Sequence, residues 1–253
     1  MALGRKRART EVGASRDAWR SLALLAEPRR REVYDFVVTR DAPVSRNEVS
    51  AGIPMTRSLA AFHLDKLAEA GLLDVTFSRP EHRAPGPGAG RPSKRYAVSN
   101  REVNLSLPPR RYDVAGRVMA RAIAASTTKN SQTTAQIAKR LAREEGREVG
   151  EQHGVTGRTS TKKRLAAVEE ALQSCGYEPA AVGQTIELRN CPFHSLVDVA
   201  PQLVCELNES FVSGVIDGLD GASAVEAKLC GRIDGNCCVV VRAGRGRQAN
   251  PTA

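Results

Sequence analysis

The chain has 253 residues, 41% of them apolar, and carries 38 Lys and Arg against 28 Asp and Glu, a net charge of +10. That length allows two modest domains, and that apolar share excludes a chain disordered throughout. No apolar run approaches the length of a membrane span, and the basic start MALGRKRART is not followed by the apolar stretch of a secretory signal, so a cytoplasmic protein with no membrane partner is expected.

The excess charge is local. Residues 1–111 hold 21 Lys and Arg against 12 Asp and Glu, whereas residues 112–253 hold 17 against 16. A basic half joined to a neutral half is the footprint of a module that neutralises phosphates.

Residues 1–12 read as a disordered basic arm. Over 16–26, Trp19, Leu22, Leu25 and Ala26 share one face of a helix. Pro28 suits the first turn of a second helix, 28–39, whose buried stripe is Val33, Phe36 and Val37. Ser45 and Glu48 have the spacing of a capping box for a short third helix ending at Gly52. Thr56 opens a fourth, with Ala60, Leu64, Leu67 and Ala70 at helical spacing and Gly71 as its stop. A strand at 72–77, a loop rich in Pro, Gly and Arg, and a strand at 95–98 complete a winged helix-turn-helix order.

That order gives side chains jobs. The N-terminal residues of the fourth helix, Thr56, Arg57, Ser58, Ala61 and Phe62, would meet base edges in the major groove of double-stranded DNA, with Arg57 the candidate for a bidentate contact to guanine. Lys66 is placed for phosphate, and His63 for a phosphate contact or for packing. Arg79, Arg83, Arg91, Lys94 and Arg95 arm the wing. The run AAFHLDKLAEAGLL resembles the recognition helix of ArsR-like regulators, and GAGRPSKRYAVS resembles the wing of a related group; the resemblance covers roughly residues 14–100 and implies a DNA-binding transcriptional regulator.

Residues 106–156 read as a helical connector, with Ala115, Val118, Met119, Ala122 and Ile123 on one stripe and Ile137, Leu141 and Val149 on another; such helices suit a homodimer interface. From 157 to 243 a helix at 161–174, strands at 178–182 and 185–188, helices starting at Cys191-Pro192 and at Pro201, and strands at 225–230 and 237–241 predict an α+β sensor domain, followed by a tail over 244–253. The fold class expected for the whole is α+β, with the winged helix-turn-helix over 13–105.

All six cysteines, Cys175, Cys191, Cys205, Cys230, Cys237 and Cys238, fall in this last region. In an intracellular chain that pattern favours metal or redox chemistry over disulfides, although no CxxC pair marks a zinc ribbon. Cys191 at a helix start would be favoured as thiolate, with His194 three residues on. Cys237 and Cys238, adjacent in a strand, should point to opposite faces, so that only one joins a given site. The phrase NCPFHSLVDVAPQLVCELNESFVSGVIDGL, with GNCCVVVR later, resembles the C-terminal domain of bacterial repressors that sense iron–sulfur clusters. That resemblance implies a 4Fe-4S or 2Fe-2S cluster held by Cys191 and Cys205 and completed from Cys237, Cys238, Cys230 or His194. This chain has Gly218, Leu219 and Asp220 where the cyanobacterial-type members carry their next cysteine. Zinc as a structural metal, or a small-molecule effector pocket, is the alternative. With no nucleophile–base pair, phosphate loop or paired-carboxylate motif, no enzyme is expected.

Overall fold

The computed structural model describes residues 11–78, 92–126, 132–154, 160–183, 185–219, 225–231 and 237–243. The chain divides into two compact units, Met1–Leu105 and Ser106–Ala253.

The first unit contains α1 (Glu11–Leu25), α2 (Pro28–Val38), α3 (Arg46–Gly52), α4 (Arg57–Glu69), β1 (Leu73–Ser78) and β2 (Ser93–Val98). Local chemistry sets the helix ends. Glu27 caps α2 by accepting from the backbone of Arg29 and Arg30, with Pro28 at the first helical position. Ser45 and Glu48 form the reciprocal capping box at α3, and Thr56 caps α4 through Leu59 N–H. At the other end of α4, Gly71 takes φ +72°, the left-handed conformation that lets the chain turn directly into β1. β1 and β2 pair antiparallel from Leu73↔Val98 to Ser78↔Ser93, and Val44 bridges to Tyr96, tying the wing to the segment before α3. Val33, Val37, Val49, Ala60, Leu64, Leu67 and Tyr96 lie in the core of this unit.

Helix α1 differs from its sequence pattern. Trp19 and Leu22 are 49% and 43% exposed, and among the described side chains of α1 those buried are Ala18 and Ser21. Apolar spacing identified a helix; the face turned inward is the one whose small side chains allow close approach. Residues 1–10 and 244–253, read as an arm and a tail, lie outside the described residues, and the helix itself starts at Glu11, inside the span read as arm.

The second unit contains α5 (Tyr112–Ser126), α6 (Thr134–Gln152), α7 (Thr161–Ser174), β3 (Pro179–Val182), β4 (Thr185–Leu188), α8 (His194–Val197), α9 (Pro201–Gly218), β5 (Val225–Leu229) and β6 (Val239–Ala243). The strands form an antiparallel sheet in the order β3-β4-β6-β5. Helix α9 touches β5 and β6 as well as α6, and α6 in turn touches α5. The segments 106–156 and 157–243, read apart in the sequence, share one core: Val118, Ala122, Ile137 and Leu141 belong to the same cluster as Leu172, Ile186, Leu188, Val212, Val215 and Val241.

The tightest packing lies between α6 and α9, which run parallel. Gly146 and Gly150 on α6 face Gly214 and Gly218 on α9. A Cβ at any of the four would fall inside the contact radius of a backbone carbonyl oxygen on the facing helix, those of Phe211, Val215, Arg143 and Arg147 respectively. Backbone cannot move aside as a flexible side chain does, so the two helices require glycine at these crossings. Flanking ion pairs, Arg143–Asp217 at 2.7 Å and Lys139–Glu206 at 2.9 Å, fix the register further.

Gly116, exposed on α5 with nothing within 4 Å of an added Cβ, provides the opposite case. Gly150→Ala and Gly214→Ala should each destabilise the chain by about 1–3 kcal/mol or more through overpacking. Gly116→Ala should stabilise it by about 0.5–1 kcal/mol through helix propensity. Urea denaturation of the three variants tests this, and equal small effects at all three positions would refute the close approach.

Candidate nucleic-acid interface and cysteine site

Helix α4 divides cleanly. Ala60, His63, Leu64 and Leu67, at i, i+3, i+4 and i+7, are buried, while Arg57, Ser58 and Phe62 are exposed and Ala61 is half-buried between them. Phe62 is 51% exposed on the outer face, an apolar ring available to a thymine methyl. Thr56 spends its hydroxyl oxygen on the helix cap, accepting from Leu59 N–H at 3.2 Å. Arg57 stands at the first helical position and engages no acidic side chain among the described residues. Arg46, at the first position of α3, is equally exposed and free of an ion pair among the described residues. It was not singled out in the sequence, because a lone arginine after a cap carries no pattern of its own.

Other expected DNA contacts are placed differently. His63 is 5% exposed and turned into the core, three residues after Ala60 on the inward stripe, so it does not face DNA. Its Nδ1 has no hydrogen-bond partner and lies 3.7 Å from Glu27 Oε2. Lys66 is drawn along the helix to Glu69 Oε2 at 2.7 Å. Lys94 pairs with Asp65 at 2.7 Å and Arg95 with Glu48 at 3.0 Å, so the cations of β2 are held by neighbouring helices rather than standing free. Arg79, Arg83 and Arg91 lie outside the described residues.

Residues 25–76 match a family described as a helix-turn-helix domain. The N-terminal unit is therefore a helix-turn-helix domain. With its paired β1–β2 wing and exposed α4 face it makes the chain a DNA-binding transcriptional regulator. No match was found among the curated proteins, and none among the solved structures. Among the described residues no helix is long and apolar enough to cross a membrane.

In the second unit the cysteines group in a way the strand pattern did not anticipate. Cys237 and Cys238 precede β6, which starts at Val239, and Cys238 sits in a bend rather than a strand. Alternation therefore does not apply to them. Both thiols are buried on the same side: Cys237 is in hydrogen-bonding reach of Cys191 and of Cys238, and Cys238 reaches Cys205. The four form a chain in the order Cys191, Cys237, Cys238, Cys205, although among the described residues no three His, Cys, Asp or Glu side chains surround a single metal position.

Electrostatics within the chain are uneven. Hydrogen bonding to Cys237 is the main reason that the Cys238 thiol is lowered to about 6, opposed by burial and aided by Cys205 and Asn208. The same neighbour lowers Cys191. Cys237, donating toward both, is held protonated. Wholly buried Asn208 donates from Nδ2 to Cys237 Sγ at 2.8 Å and accepts from Tyr177 O–H, so a polar relay backs the thiols. Asn208 stands three residues after Cys205 on α9, a helical spacing that places both on one side and was visible in the sequence.

The remaining candidates are placed differently. Helix α8 begins at His194 and is four residues long, so Cys191 is not at a helix start and its lowered affinity for a proton comes from Cys237. His194 is exposed, whereas the thiols near Cys191 are buried. Cys230 directs its S–H toward the carbonyls of Gly231 and Cys238, both at 3.5 Å, and burial raises it. Cys175 is buried at the end of α7 beside Ser174.

Burial lowers the His63 pKa, against the pull of Glu27 and with the push of Arg30. The folded chain therefore resists protonation that the unfolded chain accepts near pH 6.5. Stability is full above that value and should decline as pH falls through it. His63→Leu should flatten the dependence of the urea midpoint between pH 7.5 and 5.5. An unchanged pH profile in that variant would show that His63 does not carry it.

Proposed function

We propose that this DNA-binding regulator is a cytoplasmic, homodimeric repressor whose cysteine site binds an iron–sulfur cluster and adjusts operator affinity. The observation that carries the reading is the chain of neighbouring thiols Cys191, Cys237, Cys238 and Cys205, brought together from three separate stretches of the sequence. Four thiols are the right donors in kind for a cluster or for zinc. Cys238 and Cys191 give up their protons readily, whereas Cys237 is held protonated between them, so ligation by all four requires the Cys237 proton to leave. Cys205, only partly buried, lies on the side open to solvent. Asn208 Nδ2 would keep its hydrogen bond to the Cys237 sulfur, stabilising negative charge there. A bound cluster would supply sensitivity to oxidants; zinc would supply only rigidity.

A second reading has its own observation. Val114, Met119, Phe193, Leu196, Leu207 and Phe211 line a shallow apolar cleft in the same unit, the place where a small apolar effector would enter. Phe193 and Leu207 are near neighbours in sequence of Cys191 and Cys205, so either occupant would act on the same helices.

Anaerobic purification with iron, sulfide and zinc analysis separates these readings. The proposal expects a coloured protein containing iron and sulfide, with metal lost from Cys191→Ser and Cys205→Ser and kept by Cys175→Ser. A colourless chain with one zinc supports the structural metal instead. Full metal content in both ligand variants, or none in the parent chain, rejects the cysteine site. On the DNA side, Arg57→Ala should cost about 1–3 kcal/mol of discrimination between selected and mixed-sequence duplexes. Equal loss on both would make Arg57 a phosphate contact.

A further inference from the structure

Three consecutive residues of β2 fasten the wing to the helix-turn-helix. Lys94 Nζ donates to Asp65 Oδ1 at 2.7 Å, and Tyr96 O–H donates to the same oxygen at 2.8 Å. Between them, Arg95 Nη1 donates to both oxygens of Glu48, at 3.0 and 3.2 Å, and to Pro43 O at 3.1 Å. Strand β2 thus grips α4 through one acid and α3 through another.

Asp65 is the less expected of the two acids. It stands on α4 seven residues after Ser58, on the side away from the buried stripe, where a carboxylate would be repelled by DNA phosphates. Stability alone does not account for it. Lys94 and Asp65 are 48% and 42% exposed at the side chain, and an ion pair that open contributes little to stability. Tyr96 differs: it is 2% exposed, and a buried phenol needs a hydrogen-bond partner. Burial raises the Asp65 carboxyl, yet the bonds from Lys94 and Tyr96 outweigh it and keep the group ionised. Tyr96 therefore fixes the carboxylate in place, and the fixed carboxylate holds Lys94.

We propose that Asp65 is a positioning residue for DNA binding, setting the wing against α4 and withholding Lys94 from DNA phosphate. The proposal rests on the chain's reading as a DNA-binding protein. It makes Lys94 a reserve cation: part of the basic count in the sequence, and absent from the phosphate contacts of the intact domain.

The test is the salt dependence of binding by the full chain to a mixed-sequence 24-base-pair duplex, followed by fluorescence anisotropy. Asp65→Asn keeps an acceptor for Tyr96 and gives up the charge that holds Lys94. Its plot of log affinity against log salt should steepen by about 0.9, one additional phosphate neutralised, with tighter binding at low salt. Lys94→Gln alone should leave the wild-type slope unchanged, and Asp65→Asn combined with Lys94→Gln should restore it. A shallower slope in Lys94→Gln alone would overturn the proposal, because Lys94 would already contact phosphate. An unchanged slope in Asp65→Asn, with circular dichroism matching the parent, would overturn it equally. A wild-type chain that binds no duplex at any salt would instead reject the DNA-binding reading itself, and the proposal with it.

Discussion

The second unit is organised by the approach of two peptide backbones. Gly146 and Gly150 on α6, against Gly214 and Gly218 on α9, allow main chain to touch main chain where any side chain would hold it off. Helix α9 is consequently fixed between α6 and the strands β5 and β6, and it carries both Cys205 and Asn208. The position of one thiol and of the amide behind another thus depends on four residues with no side chains. Because packed interiors yield little, an event at the thiols has a direct route to α6 and from there to α5.

The first unit solves a different problem, that of presenting cations without scattering them. Acids at Glu48 and Asp65 organise Arg95 and Lys94, while Arg46 and Arg57 stand at the first positions of α3 and α4. The number of cations therefore overstates the phosphate-binding capacity of the described surface, since Lys94 and Arg95 are spent on holding the wing. His63 adds a constraint of another kind. A polar ring in the core of the reading helix, unpartnered at Nδ1, is tolerated while neutral and costs stability when charged.

Much of this was legible in the sequence where the governing interaction is local. The Ser45–Glu48 box, Pro28, Thr56 and Gly71 each act within a few residues, and they set the helix ends as their chemistry requires. Periodicity located α4 and its stripe of Ala60, Leu64 and Leu67; His63, read as a packing or phosphate-contact residue, lies inward with them. Interactions between distant segments were not legible. Nothing in the order of residues says that Lys94 meets Asp65, that α1 turns Ala18 and Ser21 inward and leaves Trp19 exposed, or that a bend before β6 puts Cys237 and Cys238 on one side. Cys191-Pro192 looked like a helix start because proline favours that position; the helix begins later and is too short to act on the thiol.

The proposed function makes one claim that spans both units: what happens to the thiols changes how tightly α4 holds DNA. The direct measurement is the affinity of the full chain for a selected duplex, at fixed salt, in two states prepared from one anaerobic sample, metal-loaded and metal-free. Coupling of ordinary size, about 1–3 kcal/mol, predicts affinities that differ by roughly 5- to 150-fold. Equal affinities in the two states, with metal content confirmed in each, would contradict a regulatory role for the cysteine site and leave it a structural one.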